Sequence, residues 1–350
     1  MKFSLFTEIQ WPVGTSPSTR LSEFFDQAEL ADRLGFHGFW AAEIHCQPRF
    51  SLLSAPYVVL GAVAQRTRRL RLGVAVNTLP IHHPVHLAEQ AAMLDLVSGG
   101  RMDFAAGGGH PHSRAYECFG ADHKSTHDIM AEGLEIIRRA WSEETLTFRG
   151  KFFDIPEVVV NPKPVQNPPP PFYMASSSLE GVEVAARLGI NLFLPIHTRT
   201  PDQLIEFATA YWKGLRQHGH SESTKELGLL VPMHIAATTS EAKARSEAGI
   251  MSYFKTIADM RVDYTNWLLR RGEELPARLK TAAGTTVSFE TICERHAVIG
   301  DSQLAIEGLR ELAQKTGAAH ILAWFNIGSV PHVLVKESME QFAAEVMPNF

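Results

Sequence analysis

The 350-residue chain is 45% hydrophobic and 20% charged, which excludes a disordered chain and allows a large buried core. With 33 basic against 38 acidic residues the formal charge is −5, so the cationic footprint of a nucleic-acid or anionic-membrane binder is missing. Cys46, Cys118 and Cys293 are odd in number and far apart, which excludes a disulfide framework. No run approaches the ~18 apolar residues of a membrane span, so a cytoplasmic protein is expected.

In chain order, short β-type runs alternate with longer helix-type segments. The chain opens on Lys2–Ile9, an apolar run broken by Glu8, which reads as a strand rather than a secretion signal. The later strands are predicted at Gly38–His45, Arg71–Asn77, Met102–Gly107, Phe172–Ser176, Asn191–Ile196, Leu229–Thr238 and Ala319–Ile327. Most are nearly continuous in apolar residues, the pattern of parallel strands covered on both faces. Helices are predicted over Leu21–Leu34, Leu52–Gln65, Val85–Val97, His127–Trp141, Leu179–Leu188, Pro201–Gln217, Ser240–Phe254 and Gln303–Thr316. Gly35, Gly99 and Gly189 stand where helices should stop, and Ser22, Asp202 and Asp301 near where they should start.

Eight strands, each with a helix, is the count of a (β/α)8 TIM barrel. An open doubly wound sheet needs a glycine-rich fingerprint after its first strand, and Thr7-Glu8-Ile9-Gln10-Trp11 has none. The expected architecture is one α/β barrel domain over residues 1–350. Insertions are expected at roughly 143–171, between strands four and five, and at roughly 259–301, between strands seven and eight. The first holds a hairpin pattern, Leu146–Phe153, and an extended proline tract ending at Pro171. The second, with Trp267, Arg270 and Arg271, reads as a lid or binding loop.

Reactive residues of such a barrel lie at the C-terminal ends of strands and in the loops that follow. That places Glu8, Glu43, His45, Asn77, Gly107-Gly108-Gly109-His110, Ser176-Ser177-Ser178, His197 and Asn326 on one rim. Glu43 and His45 are two apart on a predicted strand and so share a face, as a carboxylate that tunes a general base or as a buried ion pair. Ser176, Ser177 and Ser178 open a helix, where free amides and hydroxyls suit a phosphate, while Ser177 with Glu180 equally spells a capping box. The glycine run before His110, His112 and Arg114 lets a flat ligand or a phosphate approach the backbone, or merely makes tight turns. Sixteen histidines also invite a zinc reading at His110, His112, His123 and His127, or at His82 and His83. The first strand lacks the His-x-His of metal-dependent barrel hydrolases, and no metal is expected.

Several motifs keep a common order. They are Met1-Lys2-Phe3, Trp40-x-x-Glu43-x-His45, Leu79-Pro80-x-x-His83-Pro84-Val85, Leu94-Asp95-x-x-Ser98-x-Gly100-Arg101, Phe119-Gly120, Ala185-Ala186-x-x-Gly189 and Val346-Met347-Pro348. Together they resemble the bacterial luciferase-like flavin monooxygenases over nearly the whole chain. The resemblance implies a TIM barrel binding reduced FMN in its mouth. A separate NAD(P)H:flavin reductase would supply the flavin, and a C4a-peroxyflavin would oxidise a small organic substrate. It further implies a non-proline cis peptide at Ala75–Val76, followed by Asn77, against the flavin ring. Phosphate contacts would come from Ser176, Ser177, Ser178 and Gly181, and His45 would transfer protons with Glu43 positioning it. A homodimer or heterodimer is implied as well.

Three departures qualify this. The family's first histidine after the strand-two glutamate is Ile44, and its two phosphate-binding arginines are Gly108 and His127. Unless His110, His112, Arg114 or His127 compensates, either flavin binds weakly as a diffusible substrate or its phosphate is held differently. Two other readings keep the fold: a deazaflavin-dependent oxidoreductase, and a non-catalytic flavin-binding or partner subunit.

Overall fold

The computed structural model describes every residue except Arg49, Pro111, His112, 276–278 and 280–286. The zinc reading that used His112, and part of the second expected insertion, therefore lie outside the described residues.

All eight predicted barrel strands form: β1 (Lys2–Thr7), β2 (Gly38–Ala41), β3 (Arg71–Thr78), β4 (Met102–Gly107), β7 (Phe172–Ala175), β8 (Asn191–Pro195), β9 (Leu227–Ile235) and β11 (His320–Trp324). They pair in parallel in the order β11-β1-β2-β3-β4-β7-β8-β9, and β9 also pairs with β11, which closes the cylinder. The continuous apolar runs are explained by this closure, since nearly every strand residue is buried. The predicted hairpin is an antiparallel pair, β5 (Leu146–Arg149) and β6 (Asp154–Val158).

Helices run back along the outside: α1 (Pro17–Leu34), α2 (Pro56–Arg66), α3 (Pro84–Ser98), a short α4 (Ala115–Phe119), α5 (Thr126–Ser142), α6 (Leu179–Arg187) and α7 (Pro201–Gln217). They continue with α8 (Thr239–Arg270), α9 (Phe289–Arg295), α10 (Ser302–Thr316) and α11 (His332–Gln341). Local chemistry sets their ends. Gly35 and Gly99 close α1 and α3 in the left-handed conformation, and Asp301 caps α10 by accepting from the Leu304 amide. Two starts differ from expectation. Ser16, followed by Pro17, caps α1 in place of Ser22, and Thr200 caps α7 in a box with Gln203, so Asp202 lies inside the first turn.

The second insertion differs more. α8 runs on to Arg270, well past the predicted stop at Phe254, because Met260, Tyr264 and Leu268 keep a buried face at four-residue spacing. Strand β10 (Val298–Gly300), unseen in the sequence, pairs with Met233–Ile235 at the end of β9.

The two ends of the cylinder have different chemistry. At the N-terminal end of the strands, Glu226 accepts from Lys2 Nζ at 2.5 Å and from His320 Nδ1 at 2.7 Å, and His320 Nε2 bonds Ser4 Oγ at 2.7 Å. Asp103 accepts from Arg71 Nε at 2.9 Å. This end is closed by paired charges. The opposite end carries the loops.

Candidate active site

Strand β2 stops at Ala41, so Glu43 and His45 stand on the loop after it and not on the predicted strand. They still meet. His45 Nε2 lies 2.8 Å from Glu43 Oε1, and Ser113 Oγ, from the segment after β4, donates to the His45 carbonyl at 3.0 Å. The same Glu43 oxygen takes His82 Nε2 at 2.5 Å, and Glu43 Oε2 takes the Thr78 amide at 2.6 Å. Burial alone would raise the Glu43 pKa, but hydrogen bonds from His45, His82 and the Thr78 amide outweigh it and hold the carboxyl at about 2. An ionised Glu43 only accepts, so both Nε2 atoms carry a proton toward it, and Nδ1 is the ring nitrogen each histidine has left over. Ile44 is buried beside them.

His82 was missed as a partner of this pair. It follows the turn after β3, and only the closure of β2 on β3 brings it to Glu43. Glu43, His45 and His82 also present three candidate metal-ligand atoms within 4.8 Å of one another. Their occupied Nε2 positions describe a hydrogen-bonded triad. The zinc grouping imagined around His123 and His127 is not assembled among the described residues. His123 stacks on Tyr116 with centroids 4.0 Å apart, and His127 turns to Ser178 and Glu180.

The next strand carries the cis peptide Ala75–Val76, then Asn77, whose Nδ2 donates to the Ala105 carbonyl at 2.8 Å. A Cβ on Gly107 would meet Val76 Cγ2 at 2.6 Å, so β4 must be glycine here for the two strands to approach.

Across the rim lies the serine turn. Ser178 caps α6 by accepting from the Gly181 amide at 3.2 Å, and its own amide donates to Ser176 Oγ at 3.1 Å. The cap residue is thus Ser178, one later than the Ser177–Glu180 box anticipated. A Cβ on Gly181 would meet Ser176 Oγ at 2.3 Å and His127 Nε2 at 3.3 Å. The N-termini of α5 and α6 therefore converge, with His127 Nε2 3.5 Å from Ser178 Oγ and His127 Nδ1 3.2 Å from Glu180. Gly108 faces the same place, since a Cβ there would point at Thr126 of α5. His110 and Arg114 lie elsewhere: His110 packs on Phe50, and Arg114 lies over Trp267 of α8.

One cation escaped the sequence reading. Arg199, after β8, is buried, stacks over Phe207, and donates to the Ser176 carbonyl at 2.8 Å and the Pro195 carbonyl at 3.0 Å. Burial lowers its pKa to about 10, which leaves it charged at neutral pH directly behind the serine turn. Nothing in the sequence near Thr198-Arg199-Thr200 marks it.

A barrel rim with an ionised carboxylate–imidazole triad on one side and two converging helix N-termini on the other agrees with the family comparison. The pattern of the luciferase-like monooxygenases matches residues 1–320. The chain belongs to the luciferase-like monooxygenase family. A curated relative, the oxygenase component of flavin-dependent trigonelline monooxygenase from Acinetobacter baylyi, is 26% identical over 100% of this chain and 96% of its own. Among solved structures, the oxygenating constituent of 3,6-diketocamphane monooxygenase from Pseudomonas putida, in complex with FMN, superposes with a TM-score of 0.80. It is 18% identical and covers 100% of this chain and 98% of its own. The coenzyme F420-dependent tetrahydromethanopterin reductase from Methanopyrus kandleri superposes at 0.74, also 18% identical, covering 100% and 99%. At that identity the two structures bear on the fold alone. As its named relatives indicate, this luciferase-like protein is an enzyme of the flavin-dependent monooxygenase kind. No helix among the described residues is long and apolar enough to cross a membrane.

Proposed function

We propose that this luciferase-like chain is the oxygenase component of a two-component system. It would take reduced FMN from a separate NAD(P)H:flavin reductase and oxidise a small organic substrate. The observation that carries this reading is the pairing on one rim of an anion-accepting end with a proton-handling triad.

The residues present suit FMN. Within the first turn of α6 the Ser178 hydroxyl takes the Gly181 amide, which leaves the amides of Leu179 and Glu180 without a partner inside the helix, beside the exposed Ser177. Those groups, with His127 and the Arg199 charge behind them, would hold the phosphate in place of the two missing arginines. Glu180 competes for His127, which fits a flavin that exchanges with a reductase rather than one held permanently. Ala75, Val76 and Asn77 would back the ring system. When bound, reduced FMN supplies the activation of O2 that no side chain here can provide. The chain's own part is to hold His45 Nδ1 free as proton acceptor, with Glu43 fixing its tautomer, and to exclude water from the mouth.

The pairing of two copies of the chain belongs to the same reading. α2 and α3 expose Val58 at 74% and Met93 at 51%, with Leu96 and Val97 beside Met93, an apolar face suited to a twin.

The test supplies NADH, FMN and a generic flavin reductase under labelled dioxygen. One labelled oxygen atom in product, above the free-flavin background, is expected. Folded protein that neither binds FMN nor raises oxygenation above background refutes the assignment. Equilibrium titration with FMN and with a deazaflavin separates the hydride-transfer alternative, and FMN is expected to bind tighter.

A further inference from the structure

Next to the triad the loop after β2 meets α4, and each of them brings a cysteine. Cys46 follows His45, and Cys118 precedes Phe119, whose ring stands edge-on to the His45 imidazole with centroids 5.0 Å apart. Ser113 Oγ ties the same segment to the His45 carbonyl at 3.0 Å. From the other side the Tyr264 hydroxyl of α8 braces α4 by donating to Glu117 Oε1 at 3.1 Å. Across this seam the sulfurs of Cys46 and Cys118 are hydrogen-bonded to each other, and both cysteines are exposed to solvent. Cys293, the remaining cysteine, is half-buried on α9.

The backbone adds to this. Cys46 has φ of 57°, the left-handed conformation that a residue with a Cβ adopts only at a cost. A cysteine is thus held where glycine or asparagine would fit more easily, with its sulfur on Cys118. Burial, and then the Cys118 sulfur, raise the Cys46 thiol above its ordinary range, which suits Cys46 to the second, resolving step of an oxidation. Two thiols in contact at an exposed seam are the arrangement of a labile, reversible disulfide rather than of a structural one.

We propose that Cys46 and Cys118 form a peroxide-sensitive dithiol beside the triad, which closes to a disulfide, displaces His45 and slows oxygenation. The oxidant is hydrogen peroxide, which a flavin oxygenase releases when reduced flavin and O2 react without substrate. The Cys118 sulfur attacks one peroxide oxygen, the O–O bond breaks, and the departing hydroxide takes a thiol proton to leave as water. The Cys46 sulfur then attacks the resulting sulfenic acid. The S–S bond forms, the S–O bond breaks, and the second thiol proton leaves with that oxygen as a second water. Two thiols lose two electrons, and one peroxide is reduced to two waters. The sulfurs must close from hydrogen-bond contact to a bond of about 2.05 Å, and His45 is drawn along with its neighbour. A displacement on the order of 1 Å at a catalytic group costs about 100-fold in rate. The effect on oxygenation rests on the oxygenase reading; the disulfide itself does not.

The experiment treats the full-length protein, without flavin, with a few equivalents of hydrogen peroxide. Thiols are counted in denaturant, and peptides are mapped by mass spectrometry without reduction. Free thiols should fall from three to one, with Cys293 the survivor and the Cys46 and Cys118 peptides joined at a loss of two hydrogens. Oxygenation, assayed afterwards with catalase present, should drop at least ~10-fold and return with dithiothreitol. Cys118→Ser should oxygenate at the wild-type rate and keep that rate after peroxide. Three intact thiols, a link through Cys293 or between two chains, or Cys46 and Cys118 oxidised singly to sulfinic acids would each overturn the proposal. So would a disulfide that leaves oxygenation unchanged. The peptide map of wild type decides even if the variant misfolds. A Cys46–Cys118 disulfide in a protein that never oxygenates would leave the dithiol standing and remove the oxygenase assignment, and oxygenation by a protein whose thiols resist peroxide would do the reverse.

Discussion

Glu43 and Glu8 are two buried carboxyls of one rim with opposite pH behaviour. The Glu43 charge is fixed by two imidazoles and an amide, and its folded pKa of about 2 lies below the ordinary 4.5. Its stabilisation is fully present above pH 4.5 and is lost as pH falls through 2. Glu8, raised by burial from 4.5 to about 8, works the other way. Between those values the unfolded chain has released a proton that the native protein still holds, so stability falls as pH rises. The slope contributed by this one group is about 1.4 kcal/mol per unit. Urea unfolding at pH 5, 7 and 8.5 should show a decline that Glu8→Gln flattens, and equal slopes for the two proteins would contradict the raised acid. For chemistry, His45→Ala should lower kcat for oxygenation ~100-fold or more with FMN affinity little changed, and Glu43→Gln should do nearly the same. The double variant should be no worse than either single one, because the two groups act as one unit. Substrate-dependent label incorporation measures this, and an unimpaired His45→Ala would give the chain a flavin-binding role without proton transfer. Trp40-x-x-Glu43-x-His45 was legible because it is local. His82 was not, since its link to Glu43 exists only once β2 lies beside β3.

At the scale of elements, the starts of the helices separate residues that only hold the fold from residues that also meet ligand. Ser178 both caps α6 and faces the flavin phosphate in the proposed site, whereas Ser16 caps α1 on another part of the rim. Each Ser→Ala change should cost about 1 kcal/mol of stability. Only Ser178→Ala should also weaken FMN, and fluorescence-quenching titration beside thermal melts tells the two apart. His127→Arg should restore a guanidinium at the meeting of α5 and α6 and tighten FMN several-fold, since a planar fork engages phosphate better than imidazole. No gain in affinity would mean that the phosphate does not reach this corner. Caps such as Asp301 and closing glycines such as Gly99 were readable because they act within a few residues. The length of α8 was not: past Phe254 its buried face depends on Met260 joining the main core, on Tyr264 reaching Glu117, and on Tyr264 and Leu268 clustering with Leu279, contacts that exist only in the folded chain.

For the whole molecule, the barrel was legible because closing eight strands under a coat of helices demands near-continuous apolar runs, and the chain supplies them in order. Insertions carry no such demand, which is why β10 and the extent of α8 escaped. Closure also separates labour between the two ends. Around Glu226 the far end is stitched by Lys2, His320 and Ser4, joining the starts of β1, β9 and β11, where the first and last strands must meet. Burial opposes the Glu226 charge, but its hydrogen bonds to His320 and Lys2 prevail and hold its pKa at about 2. Its contribution is therefore complete above pH 4.5 and disappears toward pH 2. Glu226→Gln leaves a buried imidazole facing an amide and should cost about 3 kcal/mol, the scale for breaking a buried pair. Lying at the end of the cylinder opposite the triad, it should leave kcat and FMN affinity at wild-type values below the melting temperature. A Glu226→Gln protein that melts normally, or one that stays folded but loses oxygenation, would contradict this division between an end that closes the barrel and an end that reacts.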